Sequence, residues 1–220
     1  MKNSIDADRE KELLMDRFIA FDLETTGLNP ARGARIIEIG AVAVNKGEVT
    51  DVFSRLINTG TKIPAAATRV NGITNEMVRH APAAGEVLWE FKAFIGEHAM
   101  IAHNARFDVR FLRYEFKRLG IDFQNRSRCT LEASRKKFPR LRSHRLGTVY
   151  RRLFGKLPEG TKLHRALDDA KLVMDIWMSL RQDNPTRPHP PGINPFIKEE
   201  ENNFPRFAKE GVRGSSSAKD

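Results

Sequence analysis

Seven residues, FIAFDLE (18–24), restrict the chain before anything else in it is read. Five of them are apolar, the run reads as a buried strand, and it ends in Asp22 and Glu24. Side chains alternate along a strand with period two, so both carboxylates leave the same face. Neighbouring like charges repel unless they are solvated, share a proton or hold a cation. The Thr-Thr-Gly-Leu-Asn-Pro break at 25–30 then stops the strand beside them. Water, a shared proton or a hard cation must reconcile this pair, and acids elsewhere in the chain decide which.

The remaining elements follow from apolar spacing. Residues 17–22, 36–44 and 48–57 read as strands, with Asn45-Lys46-Gly47 turning between the second and third. Val87, Leu88, Phe91, Phe94 and Ile95 repeat at helical spacing, which predicts a helix over 84–96 ending at Gly96. Residues 99–104 (AMIAHN) read as a short buried strand and 105–119 as a second helix closed by Gly120. A fifth strand is expected at 128–131 and a last helix at 166–181. Strands alternating with helices after an initial meander predict an α/β domain with a mixed sheet. The 220 residues divide into a charged extension (1–16), one domain (17–182) and a tail (183–220). Six of the eleven prolines fall within 185–205, so the tail is expected to be poorly ordered or partner-dependent, with Phe196, Phe204 and Phe207 as docking anchors.

Two more inward-facing acids emerge from the helices. Asp108 shares a stripe with Phe111, Leu112 and Phe116, while Arg106, Arg110, Arg113 and Lys117 occupy another face. Asp169 lines up with Val173, Ile176 and Leu180, whereas its neighbour Asp168 lines up with Lys171, Asp175 and Ser179 and faces water. His164 lies five residues before Asp169, at the helix edge, where an imidazole is suited to take a proton. Oxygen ligands suit Mg²⁺ or Mn²⁺ rather than zinc. Two such ions about 3.5–4 Å apart clamp the attacking and leaving oxygens of phosphoryl transfer.

Charge supplies the partner. Net charge is +10, but the segment Arg126–Arg165 alone carries 13 Lys/Arg against two acids. That segment predicts a polyanion, and Arg142 and Arg145 within it are expected to border the substrate groove. The lone cysteine, Cys129, rules out an internal disulfide or a zinc cluster. No apolar run approaches a membrane span and residues 1–16 lack the apolar core of a signal peptide, so a cytoplasmic protein without membrane contact is expected.

In order along the chain, "FDLETTG", "HNARFD" and "HRALDDA" resemble the three motifs of the DEDDh 3′–5′ exonucleases. That family includes the proofreading epsilon subunit of bacterial DNA polymerase III, RNase T and oligoribonuclease. The resemblance covers residues 17–181, and "RIIEIGAV" and "CTLEASRKKFP" place it nearest the polymerase-associated branch. It implies an RNase H-like fold, a five-stranded mixed sheet flanked by helices. It further implies two Mg²⁺ or Mn²⁺ ions on Asp22, Glu24, Asp108 and Asp169, with His164 activating the attacking water. Nucleoside 5′-monophosphates would leave from a 3′ end. Thr25, Thr26, Asn71, His103, Asn104 and Phe107 are expected to contact substrate, together with Arg142 and Arg145.

The chain also departs from the pattern. Asn71 stands in "VNGIT" where the family usually has His, and Ala66 stands where proofreading members often have Glu. The clamp-binding pattern Q-x-x-[LM]-x-F is missing, since Gln124 and Gln182 are followed three residues on by Ser127 and Pro185. The expected activity is 3′–5′ cleavage of single-stranded DNA in proofreading or repair, with a polymerase or other nucleic-acid-processing subunit docked through the tail. RNA 3′-end trimming is the alternative on the same chemistry. A binding subunit without catalysis is a third reading, disfavoured because all five catalytic positions are filled.

Overall fold

The computed structural model describes residues 17–181; the expected extension and tail lie outside the described residues. Strands β1 (Arg17–Thr25), β2 (Ile36–Asn45) and β3 (Glu48–Leu56) form an antiparallel meander. Lys46 and Gly47 both take positive φ, which matches a two-residue hairpin turn to the twist of its strands. Short strands β4 (Ala99–Ala102) and β5 (Ser127–Cys129) add in parallel, giving the order β3-β2-β1-β4-β5. This is the five-stranded mixed sheet expected.

Among the described residues seven α-helices flank it: α1 (Ala65–Asn71), α2 (Asn75–Val78), α3 (Ala84–Ile95), α4 (Ala105–Arg118), α5 (Thr130–Lys137), α6 (Leu146–Phe154) and α7 (Ala166–Arg181). The strand expected at 128–131 begins and ends earlier, because Thr130 already opens α5. The strand expected over 99–104 stops at Ala102, where Asn104 turns the chain through the left-handed region into α4. β1 runs three residues further than its apolar stretch, to Thr25, because pairing with β2 carries it on.

Alternation along β1 separates two cores. Ile19, Phe21 and Leu23 pack with Leu88 and Phe91 of α3 and with Phe111, Leu112 and Phe116 of α4. Phe18 and Ala20 pack on the other face with Ala170, Val173 and Trp177 of α7. Each fully buried large side chain of this kind contributes about 1.5–3 kcal/mol. By the same alternation Asp22 and Glu24 point to the α7 face, where the apolar layer ends.

Gly40 lies opposite Asp22 on β2, and a Cβ there would fall 2.1 Å from the backbone of Ala166 and Leu167. The start of α7 therefore rests directly on the sheet, and only glycine permits that approach. A register shift between Glu24 and Thr25 ends regular β1 pairing at the same place. Bulges of this kind re-aim side chains at strand ends.

Candidate active site

Three elements bring the predicted acids to one edge. Asp22 and Glu24 end β1, Asp108 sits in the first turn of α4, and Asp169 in the first turn of α7. Glu24, Asp108 and Asp169 are buried and Asp22 is half-buried. An acid in a first turn gains from the helix dipole, but only about 0.3–1 kcal/mol, too little to offset burial of its charge.

Their protonation shows the cost of assembling them. Burial pushes Asp22 well above the usual carboxylate range, with Asp108, Asp169 and Glu24 adding repulsion. Burial, then the charge of Asp169, raises Glu24 to about 8, against a lowering hydrogen bond from the Asn71 side chain. Burial raises Asp108 to about 8, although backbone N–H groups, its own and that of Leu23, favour its charged form. Burial raises Asp169 to about 6, opposed by the His164 N–H and by the His164 charge.

His164 takes a left-handed φ of 64° just before α7. Its N–H donates to Asp169 Oδ2 at 3.0 Å, while its ring stays exposed. One ligand atom each from Glu24, His164 and Asp169 lies within 4.8 Å of the others. Asp169 Oδ1 is buried without a hydrogen-bond partner. A buried carboxylate oxygen with nothing to accept, beside three acids whose charged forms are disfavoured chiefly by burial, fits a divalent cation of the oxygen-preferring kind.

Glu38 was not legible as part of this site. It is 2% exposed and lies directly opposite Glu24 on β2. Its carboxylate accepts from Arg165 Nη2 at 2.7 Å, from Arg165 Nε at 3.1 Å and from the Ala166 N–H at 3.0 Å. With both oxygens taken, Glu38 is a clamp on the residues flanking His164 rather than a further open ligand. A charged residue inside an otherwise apolar strand, IIEIGAV, was the available signal.

The expected substrate contacts are more scattered. Thr25 and Thr26 fasten the loop after β1, through Thr25 Oγ1–Gly27 O (2.7 Å) and Arg35 N–Thr26 Oγ1 (2.9 Å). Asn71 is buried, accepts from the Ile73 N–H and bonds Glu24, so it steadies a site acid. Both ring nitrogens of His103 are engaged by the protein: Nε2–H donates to His144 O at 2.7 Å, and Nδ1 pairs with the Thr130 hydroxyl at 2.9 Å. Burial lowers its pKa, so the ring stays neutral and ties the basic loop to the end of β4.

Asn104 is exposed at the turn into α4, and Phe107 packs on Phe111 at 4.9 Å. Arg142 and Arg145 are exposed before α6. Asp168, expected to face water, is half-buried and accepts from the Lys162 N–H at 3.0 Å.

A sequence model described as Exonuclease matches residues 19–177. The chain belongs to the exonuclease family. The DNA polymerase III epsilon subunit of Aquifex aeolicus is 35% identical over 185 residues, covering 83% of this chain and 90% of that protein. A PolC-type DNA polymerase III of Bacillus cereus is 34% identical over 172 residues, 78% of this chain but 12% of the polymerase. The chain thus spans about an eighth of the length of the PolC relatives it matches.

Exonuclease X in complex with 5′ overhanging duplex DNA is 30% identical, with a TM-score of 0.57 over 74% of this chain and 91% of that one. The nuclease domain of 3′hExo, a DEDDh family member bound to rAMP, shares the fold at TM-score 0.63 and 20% identity, over 78% and 95% of the two chains. The five-stranded mixed sheet flanked by helices is the RNase H-like exonuclease fold that these neighbours share. No helix among the described residues is long and apolar enough to cross a membrane.

Proposed function

We propose that the chain hydrolyses the terminal phosphodiester of a single-stranded DNA 3′ end, using two divalent cations and His164, and releases nucleoside 5′-monophosphates. One observation carries this reading. Four carboxylates from β1, α4 and α7 share an edge at which Asp169 Oδ1 has no partner and an exposed imidazole stands within reach. Asp22, Glu24, Asp108 and Asp169 would hold the cations, which supply charge neutralisation and a clamp on the attacking and leaving oxygens.

The residues do the rest. His164 takes a proton from the attacking water, and the Asp169 bond to its backbone fixes where its ring hangs. Asn71 orients Glu24. Arg142 and Arg145, in the segment tied to β4 through His103, grip the phosphates of the scissile strand. A role in proofreading or repair, beside a polymerase or other nucleic-acid-processing subunit docked on residues 183–220, completes the proposal.

The test is cleavage of end-labelled single-stranded DNA and RNA of one sequence with Mg²⁺, Mn²⁺ or EDTA. DNA should be shortened from its 3′ end only with metal, and faster than RNA. Preference for RNA would transfer the chain to RNA trimming, and no cleavage of either would leave a binding subunit. His164→Ala should slow turnover on the order of 10²–10⁴-fold while metal binding survives. Lost metal affinity with a full rate at saturating metal would make His164 a ligand instead.

A further inference from the structure

A second basic surface lies on α4, outside the Arg126–Arg165 segment. Arg106, Arg110, Arg113 and Lys117 are all exposed and recur at spacings of four, three and four. They form one stripe about 16 Å long, which Arg118 widens. Both acids of the helix turn inward: Asp108 to the site, and Glu115 to a buried pair with Arg35 at 2.6 Å. Among the described residues no acid forms an ion pair with Arg106, Arg113, Lys117 or Arg118. The nearest acid in sequence beyond the helix, Asp122, accepts from Gln124.

The helix dipole accounts for Lys117 and Arg118, which stand in its last turn, but not for Arg106, Arg110 and Arg113. Like charges three and four residues apart along a helix repel one another. Arg106 also stands in the first turn, the end of the helix dipole that disfavours a cation.

Position gives the stripe a purpose. It starts at the helix end that carries Asp108, and Arg110 donates to the Leu28 carbonyl at 2.5 Å in the loop just after Glu24. Arg110 also lies over the Phe107 ring at 5.9 Å. Leu28 itself is 79% exposed at that lip. α4 covers the sheet face of Ile19, Phe21 and Leu23, whereas α6 packs with α7, which covers the opposite face. Two cationic surfaces therefore flank the carboxylate edge from opposite sides of the sheet. A single strand ending in the site follows one of them. His164 and Arg165 belong to the Arg126–Arg165 segment, so that surface takes the scissile strand.

We infer that the outer face of α4 binds the phosphates of a second nucleic-acid strand, the complement of the strand whose 3′ end is being trimmed. This rests on the proposed function for its geometry, and it makes the preferred substrate a duplex carrying a 3′ single-stranded end.

The experiment is equilibrium binding by fluorescence anisotropy in EDTA, using the full chain, between low and moderate salt. Two probes are compared, a single strand and a duplex with the same strand as its 3′ tail. The triple variant Arg113→Ser, Lys117→Ser, Arg118→Ser lies outside the catalytic machinery. Each neutralised phosphate contributes about 0.9 to the log–log salt slope on a duplex. On the tailed duplex the variant should bind at least about tenfold more weakly at low salt, with a slope shallower by about 2–3. On the single strand it should match the unsubstituted chain. Equal weakening on both probes would place α4 on the scissile strand and overturn the inference. No change on either would make the stripe a solvated face and also overturn it. Failure of the nuclease reading shows separately, as absent Mn²⁺-dependent cleavage by the unsubstituted chain.

Discussion

Glu38→Ala removes the acceptor on which the start of α7 is built. The carboxylate holds Arg165 through two nitrogens and the Ala166 N–H through a third bond. Removing one partner of a buried ion pair costs about 3–5 kcal/mol when the other charge stays buried. The Arg165 side chain is 36% exposed and can turn to water, which brings that term toward about 1 kcal/mol. The Ala166 N–H belongs to a fully buried residue and, left unpaired, costs a further 1–3 kcal/mol or so. Glu38 also adds to the repulsion that raises Asp22, Glu24 and Asp169, so its loss returns part of the total. The balance is a destabilisation of about 2–3 kcal/mol. Urea unfolding in EDTA at neutral pH measures it. Glu38→Gln, which keeps one carbonyl oxygen for the Ala166 N–H, should lose less. Because Arg165 and Glu38 act as one unit, Arg165→Ala should add little in the Glu38→Ala background. A Glu38→Ala protein within about 0.5 kcal/mol of wild type, or full additivity with Arg165→Ala, would refute the clamp.

Stability without metal should fall as pH rises. Folded Glu24 and Asp108 titrate at about 8 and Asp169 at about 6, above ordinary carboxylates, so the folded state holds more protons than the unfolded one from about pH 4 upward. The stabilisation is complete below pH 4 or so and is lost as pH passes through the folded values, near 6 and then 8. Thermal melts in EDTA should therefore show a falling Tm between pH 5 and pH 8 or so, and Mn²⁺ should raise Tm more at the upper end. A Tm that climbs with pH in EDTA would contradict the assigned protonation. Gly40→Ala should displace α7 from the sheet, since its new methyl would meet the Ala166 backbone at 2.1 Å. Both stability and turnover should drop, and a crystal structure with α7 unmoved would argue against the contact.

The gathering of acids at one edge was legible because each acid broke a local rule. Asp22 and Glu24 charge the end of an apolar strand, and Asp108 and Asp169 sit on the inward stripes of their helices. The long helices α3, α4 and α7 announced themselves by period, whereas α1, α2, α5 and α6 span nine residues or fewer and have too few turns to show one.

Side-chain roles that depend on a distant partner stayed hidden. Glu38 meets Arg165 across 127 positions, and His103 meets His144 across 41. No local pattern separates a histidine that binds substrate from one whose nitrogens close a loop. Asn71, read as a substrate contact because it replaces a family histidine, also bonds Glu24 and the Ile73 N–H, partners that no local pattern announces.

Asp169→Asn reaches the central claim most directly. The amide keeps an oxygen for the His164 N–H but removes the carboxylate charge and the unpartnered acceptor Oδ1. Single-stranded DNA is incubated with Mn²⁺ and the released products are separated by chromatography. Wild type should yield nucleoside 5′-monophosphates stepwise from the 3′ end, and nothing in EDTA. Asp169→Asn should yield none, while melting in EDTA at or above the wild-type temperature because one buried charge is gone. Digestion by Asp169→Asn at the wild-type rate, or products formed in EDTA, would contradict the account.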